Sequence, residues 1–347
     1  MRDAFPSGHE GATVTRFLIS GLGSAGRRHL RNLKAIGQED VVLHRTGRST
    51  LPDEDLDGLE VESDIEDALD RWQPEAVLVT NPTAHHLDVA IPAARAGCSL
   101  FIEKPISHTM DGIKELTQAL VAGGGRALVG YHFRFNPGLR TAKRLLEEGA
   151  IGRVLSARNY WGEYLPDWHP WEDYRSSYAA RAELGGGVVL TLSHPFDYLR
   201  WLLGDVADVE ALTANSGTLG IEVEDSAGIL ATMGMGVLTS VQLDYLRRPP
   251  AHWLDITGSE GAIRWDAADS IVRWWNGEWN SEPPPEGFER NSMFIDEIRH
   301  FVKVVNREEE PLCSLEDGVH ALEFALMVQR SARSGARIAP HAAEVSG

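Results

Sequence analysis

The sequence predicts an α/β protein of two domains: a doubly wound parallel sheet followed by an α/β domain built on a largely antiparallel sheet. Over the first third, short apolar runs alternate with helical patterns, which winds a parallel sheet on both faces. Near the start, a strand runs into a glycine-rich turn and straight on into a helix. From residue 206 to 279 the pattern is mostly strand, punctuated by hairpin glycines. A chain of 347 residues with 43% hydrophobic content can bury two ordinary cores.

The first strand is Phe17-Leu18-Ile19-Ser20. It meets Gly21-Leu22-Gly23-Ser24-Ala25-Gly26, and a helical pattern over 27–36 is closed by Gly37. Each glycine has a task if this turn holds a dinucleotide. Gly21 makes the tight turn, Gly23 lets the backbone approach a pyrophosphate, and Gly26 lets helix and strand pack closely. Beside Ser24 and Ala25, the helix N-terminus offers free N–H groups and partial positive charge to the phosphates. A tight β–α turn without a ligand is the plainer alternative.

Buried strands follow at 41–43, 76–79, 100–102 and 127–129, with helices over 87–96 and 110–121, each ended by glycine. After Tyr131 the rhythm changes. A helix over 139–148 closes on Gly149, a Trp- and Pro-rich loop follows, and Gly185-Gly186-Gly187 opens another helix. Hairpin signals stand at 234–236, 258–261 and Asn276-Gly277. Helices over 293–305 and 315–331 finish the chain. The expected division is a flexible extension at 1–13, a dinucleotide-binding domain at 14–131 and a substrate-binding domain at 132–347.

Composition excludes several function classes. Lys+Arg number 33 against 51 Asp+Glu, a net charge of −18 that repels nucleic acid and anionic membranes. Cys98 and Cys313 stand alone and far apart, which fits a reducing cytoplasm. No run is apolar enough to span a bilayer, residues 1–13 lack a signal-peptide core, and nothing has metal-ligand spacing.

In dinucleotide folds an acid at the end of the second strand binds the ribose 2′-hydroxyl. Here that segment reads Leu43-His44-Arg45-Thr46-Gly47-Arg48-Ser49, without a carboxylate. Arg45 and Arg48 suit a 2′-phosphate instead, so NADP is expected ahead of NAD. Arginines facing solvent on a loop are the bland alternative.

Strand 100–102 delivers Glu103-Lys104-Pro105 at its carboxyl end, where wound sheets bind ligands. A lysine so placed can hydrogen-bond a substrate hydroxyl beside a nicotinamide and favour its ionised form. A glycine fingerprint, then Glu-Lys-Pro after a later strand, then a Gly-rich helix bearing histidine resembles the Gfo/Idh/MocA oxidoreductase family. The likeness runs from residue 14 to about 338. It implies a Rossmann domain, then an α/β domain on an open, mostly antiparallel sheet. It also implies NAD(P)-dependent oxidation or reduction of sugars, cyclitols and related compounds.

By that resemblance Lys104 is the active-site lysine, with a bond to Pro105 that can be cis, and Glu103 belongs to the coenzyme site. Asn81-Pro82-Thr83 and His86 match the loop beside the nicotinamide ribose, and residues 131–137 match the crossing into the second domain. Residues 164–175 look like a subgroup associated with surface-polysaccharide and acidic-sugar pathways. His194 matches the family's general base, a task that suits a side chain titrating near working pH. Relatives carry Asp or Glu where this chain has Thr191; on one helix the two would share a face, with Asp197 the nearest substitute acid. Pro195 either starts a new helix segment or kinks this one.

Arg134, Asp167, His169, Tyr174 and Arg181 are the candidates for holding a sugar, and Trp161, Trp168 and Trp171 could stack on a pyranose. Open sheets of this family pair face to face, which implies a homodimer or homotetramer. Two other readings stand beside sugar dehydrogenation. One is an enzyme that recycles a held NAD, glycosidase-like or imine-reducing; the other is a dinucleotide-binding regulator without catalysis.

Overall fold

The structure is a computed structural model describing residues 15–47, 56 and 58–340. The expected extension at 1–13, and Arg48 and Ser49, lie outside the described residues. The first part of the chain runs β1 (Phe17–Ser20), α1 (Ser24–Ala35), β2 (Val41–His44), β3 (Val61–Glu62), α2 (Ile65–Trp72), β4 (Ala76–Val79), α3 (His86–Arg95), β5 (Ser99–Ile102), α4 (Ile113–Gly123) and β6 (Ala127–Val129). The strands form a parallel sheet in the order β3-β2-β1-β4-β5-β6. β1, β2, β4 and β5 are buried throughout, as expected of apolar runs covered on both faces. The order reverses between β1 and β4, so a crevice opens outside their carboxyl ends.

α1 begins at Ser24, three residues before the pattern suggested. Gly23 caps it without a side chain, and Gly26 is pulled into the first turn by close packing against Gly21 and Thr80. The helical pattern therefore becomes visible only after the glycines.

The second part runs α5 (Pro137–Glu147), β7 (Val154–Tyr164), α6 (Val188–Thr191), α7 (His194–Leu203), β8 (Val206–Ala214), β9 (Ser226–Met233), β10 (Val237–Asp244), β11 (Leu246–Gly258), β12 (Ala262–Asp266), β13 (Val272–Trp275) and β14 (Trp279–Glu282). Its sheet has the order β14-β13-β12-β11-β7-β10-β9-β8, and only β7 and β10 pair in parallel. The hairpin glycines join β9 to β10, β11 to β12 and β13 to β14, as expected. β7, which pairs β10 on one side and β11 on the other, lies where the sequence suggested a loop.

α8 (Arg290–Val305) and α9 (Leu315–Ser334) return to the first domain. Phe301 of α8 packs on Phe17 and Phe101 of the first sheet, ring centres 6.4 and 5.7 Å apart. Gly318 of α9 sits so close to Val129 and Ile106 that a Cβ there would approach their methyl carbons to 2.7 and 2.8 Å. One face of the first sheet is thus covered by the end of the chain, which holds both domains against a common cleft. Among the described residues, no helix is long and apolar enough to cross a membrane.

Candidate active site

The glycine turn has the shape of a dinucleotide cradle. Gly21 has φ +91°, and a Cβ there would lie 2.4 Å from the Asn81 amide nitrogen. A Cβ on Gly26 would fall 1.9 Å from the Gly21 carbonyl oxygen. Gly23, by contrast, faces open space. The first helical hydrogen bond here runs from Arg27 N–H to Gly23 C=O, so the amides of Ser24, Ala25 and Gly26 have no acceptor within the helix. Walls behind the turn, room in front and unpaired donors at a helix N-terminus fit a pyrophosphate. At the end of β2, His44 Nδ1 lies 2.8 Å from Ser20 Oγ, and partly exposed Arg45 follows without a carboxylate beside it in sequence.

At the end of β5, Glu103 accepts a hydrogen bond from His29 Nε2 at 2.8 Å. Burial pushes the Glu103 carboxyl upward, but His29, Lys104 and Arg28 together outweigh it and hold the group below its ordinary value. The Lys104–Pro105 bond is cis. Lys104 reaches across the cleft and donates from Nζ to the Thr191 carbonyl at 2.7 Å. Burial lowers its pKa, opposed by Glu103 and Glu163. Asn81 donates to the His85 carbonyl, and Thr83 is buried beneath Gly185 of the second domain. Pro82 precedes the short turn that starts at Thr83.

His86 is turned away from the crevice. Its ring nitrogens lie 2.9 Å from the carbonyls of Pro105 and Asn81, and burial lowers its pKa to about 4. It ties the two loops together, so its expected contact with a coenzyme is replaced by a bracing one.

His194 opens α7 and is 1% exposed. Its ring is set among Tyr131, His132, Phe133 and Trp161 at 5.4, 4.3, 5.0 and 5.5 Å between centres. Burial, then His132, Lys104, His252 and Arg290, hold its pKa well below the ordinary value, so the imidazole is neutral near pH 7. Thr191 does not share a helical face with it. α6 stops at Thr191, Leu192 leaves the helical path, and Pro195 stands in the first turn of α7, where a missing N–H costs nothing. The backbone carbonyl of Thr191, rather than its hydroxyl, is what meets Lys104.

Asp197 is not available to His194. It is fully buried and accepts from Arg134 Nε at 3.0 Å and from Nη2 at 2.6 Å. Arg134 also pairs with Asp317 and donates to the Leu312 carbonyl. Its guanidinium is thereby spent on a buried network, which corrects its assignment as a sugar ligand. Tyr174 donates to the Leu219 carbonyl, and exposed Arg181 pairs with Glu183. Asp167 is exposed at the end of a short turn, and half-buried His169 lies against Trp171, ring centres 5.0 Å apart. Trp161 forms part of the wall around His194, Trp168 packs on Tyr245, and Trp171 stands 62% exposed.

Sequence reasoning missed His29, His132, Arg28 and Arg290. The pattern Arg27-Arg28-His29 follows the last glycine directly, yet nothing local says which of the three turns inward. Among the described residues, no group of three His, Cys, Asp or Glu could hold a metal ion.

Residues 15–131 match the family model described as "Oxidoreductase family, NAD-binding Rossmann fold", and residues 139–264 match "GFO/IDH/MocA C-terminal domain". The myo-inositol 2-dehydrogenase of Thermotoga maritima is 26% identical over 91% of this chain and 96% of its own length. The 2,7-anhydro-N-acetylneuraminate hydratase of Mediterraneibacter gnavus is 29% identical over 62% of this chain; the match spans 57% of that protein. A levoglucosan dehydrogenase solved with NADH and levoglucosan superposes with a TM-score of 0.84, covering 94% of this chain and all of that one. At 20% identity that likeness is one of fold.

Proposed function

The chain belongs to the Gfo/Idh/MocA oxidoreductase family, and from that premise we propose that it moves a hydride between a nicotinamide dinucleotide and a carbon of a sugar or sugar derivative. The observation that carries the reading is the approach of Lys104 to Thr191, which brings an amine to the segment that ends in a buried neutral imidazole. The coenzyme supplies the hydride acceptor or donor. The first-domain turn at 21–26 holds its pyrophosphate, with Asn81, Pro82, Thr83 and Glu103 around the nicotinamide half. Lys104 donates hydrogen bonds to the reacting oxygen and stabilises negative charge there. His194 takes the hydroxyl proton in oxidation and returns it in reduction. Tyr131, Phe133 and Trp161 keep water from the imidazole.

NADP is preferred because no acid follows β2 and Arg45 does. A second copy covers the outer face of the eight-stranded sheet, where Leu212, Leu230 and Leu238 stand 77, 53 and 58% exposed. The two buried free thiols suit a cytoplasmic site. Asp167 and His169 remain the sugar-facing candidates of the loop after β7.

Incubation with a panel of neutral and acidic sugars and either coenzyme, followed at about 340 nm where reduced nicotinamides absorb, tests the reading. Net coenzyme turnover abolished by Lys104→Met supports it. Product formation with no net change in coenzyme would assign the recycling chemistry instead, a reading favoured by the hydratase relative and by Thr191 standing where an acid is usual.

A further inference from the structure

The inward face of β7 ends in a carboxylate that no cation neutralises. Ala157, Asn159 and Trp161 are buried along that strand, and Glu163, two residues on, shares their side of it. Trp161 fixes where the carboxylate stands. Its ring is stacked on His252, centres 4.4 Å apart and planes within 4°, and lies 5.5 Å from the ring of His194. From that locked position the indole Nε1 donates to Glu163 Oε1 at 2.9 Å. Glu163 itself is half-buried, at the edge of the wall around the imidazole. Among the described residues, no lysine, arginine or histidine lies within ion-pair distance of it.

The other acids around the centre are committed. Glu103 is bonded to His29 at 2.8 Å, and Asp197 is paired with Arg134. Thr191 brings no carboxylate at all. The negative charge of Glu163 also reaches Lys104, where it opposes the lowering by burial. A carboxylate has about four acceptor positions, and the indole takes one of them. A sugar, for its part, has more than one hydroxyl to satisfy. Once the reacting one lies between Lys104 and His194, the remainder need acceptors, and Glu163 is the charged acceptor at hand.

We propose that Glu163 accepts a hydrogen bond from a non-reacting hydroxyl of the sugar and so sets the orientation of its ring. This rests on the sugar oxidoreductase reading above and adds a substrate-binding residue to it. With one oxygen held by Lys104 and His194 and another by Glu163, the ring can no longer turn about its reacting C–O bond. A single C–H bond is then left to face the coenzyme. Hydrogen bonds to an ionised acceptor are about twice as strong as neutral ones. A site built around such a bond rejects the analogue that lacks the hydroxyl, because the acceptor is then left unpaired. Selection by Glu163 therefore acts on one hydroxyl position rather than on the sugar as a whole.

Calorimetric titration of the NADH-saturated protein with D-glucose, D-galactose and D-mannose, each beside the analogues that lack one ring hydroxyl in turn, reads the contact directly. Turnover of the same sugars with either oxidised coenzyme is followed in parallel. For at least one sugar, loss of one particular hydroxyl is expected to weaken binding by about tenfold or more. Glu163→Gln, which keeps an oxygen for the indole, should cut that penalty to about threefold or less, and Glu163→Leu should abolish it. Penalties at the other positions and the NADH Kd should stay within about twofold of the parent. The proposal is overturned if the penalty survives in either variant, if all positions lose theirs alike, or if no sugar binds. It is equally overturned if NADH affinity falls by the same factor, which would give Glu163 to the coenzyme. Turnover with penalties indifferent to Glu163 would remove the contact and leave the oxidoreductase reading standing. A penalty that depends on Glu163 without turnover of any sugar would support the contact and remove that reading.

Discussion

Lys104 Nζ lies 2.7 Å from the carbonyl oxygen of Thr191, joining the end of β5 to the segment that leads into His194. A carbonyl orients the amine but adds no negative charge. An ammonium has three N–H donors, so two remain for a substrate oxygen. Where the family resemblance leads one to expect an acid, this chain has Thr191, and Lys104 meets its backbone carbonyl.

Replacing Lys104 by methionine keeps the apolar stem and removes the charge. We expect kcat to fall by about 100-fold or more, the range seen when a transition-state donor is removed. Coenzyme affinity, measured by fluorescence titration, should change by less than about threefold, which corresponds to under 1 kcal/mol. Equal losses in kcat and coenzyme affinity would return Lys104 to a structural role.

Acid should destabilise this fold early. His86, His132, His194 and His252 are all buried with lowered pKa values, about 4 for His86 and about 3 for His252. Below the unfolded value of about 6.5, the unfolded chain binds protons that the folded one does not, so stability falls as pH falls. Glu297, Asp197 and Glu224, raised by burial, work the other way. At pH 5.5 a histidine that stays neutral in the fold costs about 1.4 kcal/mol. Urea midpoints at pH 7.5 and 5.5 measure it; coincident midpoints would contradict the burial of these rings as neutral groups.

The Arg134–Asp197 pair should matter for folding rather than chemistry. Both groups are nearly fully buried, and removing Asp197 leaves the guanidinium with the partly exposed Asp317 as its remaining ion-pair partner, at a cost towards the lower end of the roughly 3–5 kcal/mol of breaking a buried pair. Asp197→Asn is expected to lower the melting temperature sharply while kcat/KM of the surviving folded fraction stays within about threefold of the parent. A loss of kcat at unchanged stability would instead put Asp197 in the proton path of His194.

Gly26→Ala should damage coenzyme binding and folding together. The added methyl would sit 1.9 Å from the Gly21 carbonyl, so either the turn or the helix must shift, at a cost of roughly 1–3 kcal/mol. Thermal melts with and without NADH would show a lower midpoint and a reduced ligand-induced rise. A normal rise would mean that the turn absorbs the methyl.

The first domain was legible because its central strands are buried on both faces and read as unbroken apolar runs ending at glycines. β7 was not. Its inward set includes Asn159 beside Ala157 and Trp161, while its outward set includes Tyr160, so alternation of apolar and polar residues is blurred. Asn159 is tolerated inside because it donates to the Trp253 carbonyl and to Tyr198. Lys104 and His194 could be picked out by their place after a strand and after a glycine-rich turn. Arg134 and Asp197 could not be paired, because only the folded chain joins them. The same holds for Arg28 and Phe294, far apart in the sequence and stacked in the fold.

The open space in front of Gly23, between two glycines that are walled in, makes the three positions unequal targets for engineering. Its φ of −72° is one an alanine adopts without strain, so a methyl there would project outward into the path of the phosphates while the scaffold behind it stays intact. A folded protein deprived of its redox partner could be made by that single change, giving a clean blank against which sugar binding alone can be weighed.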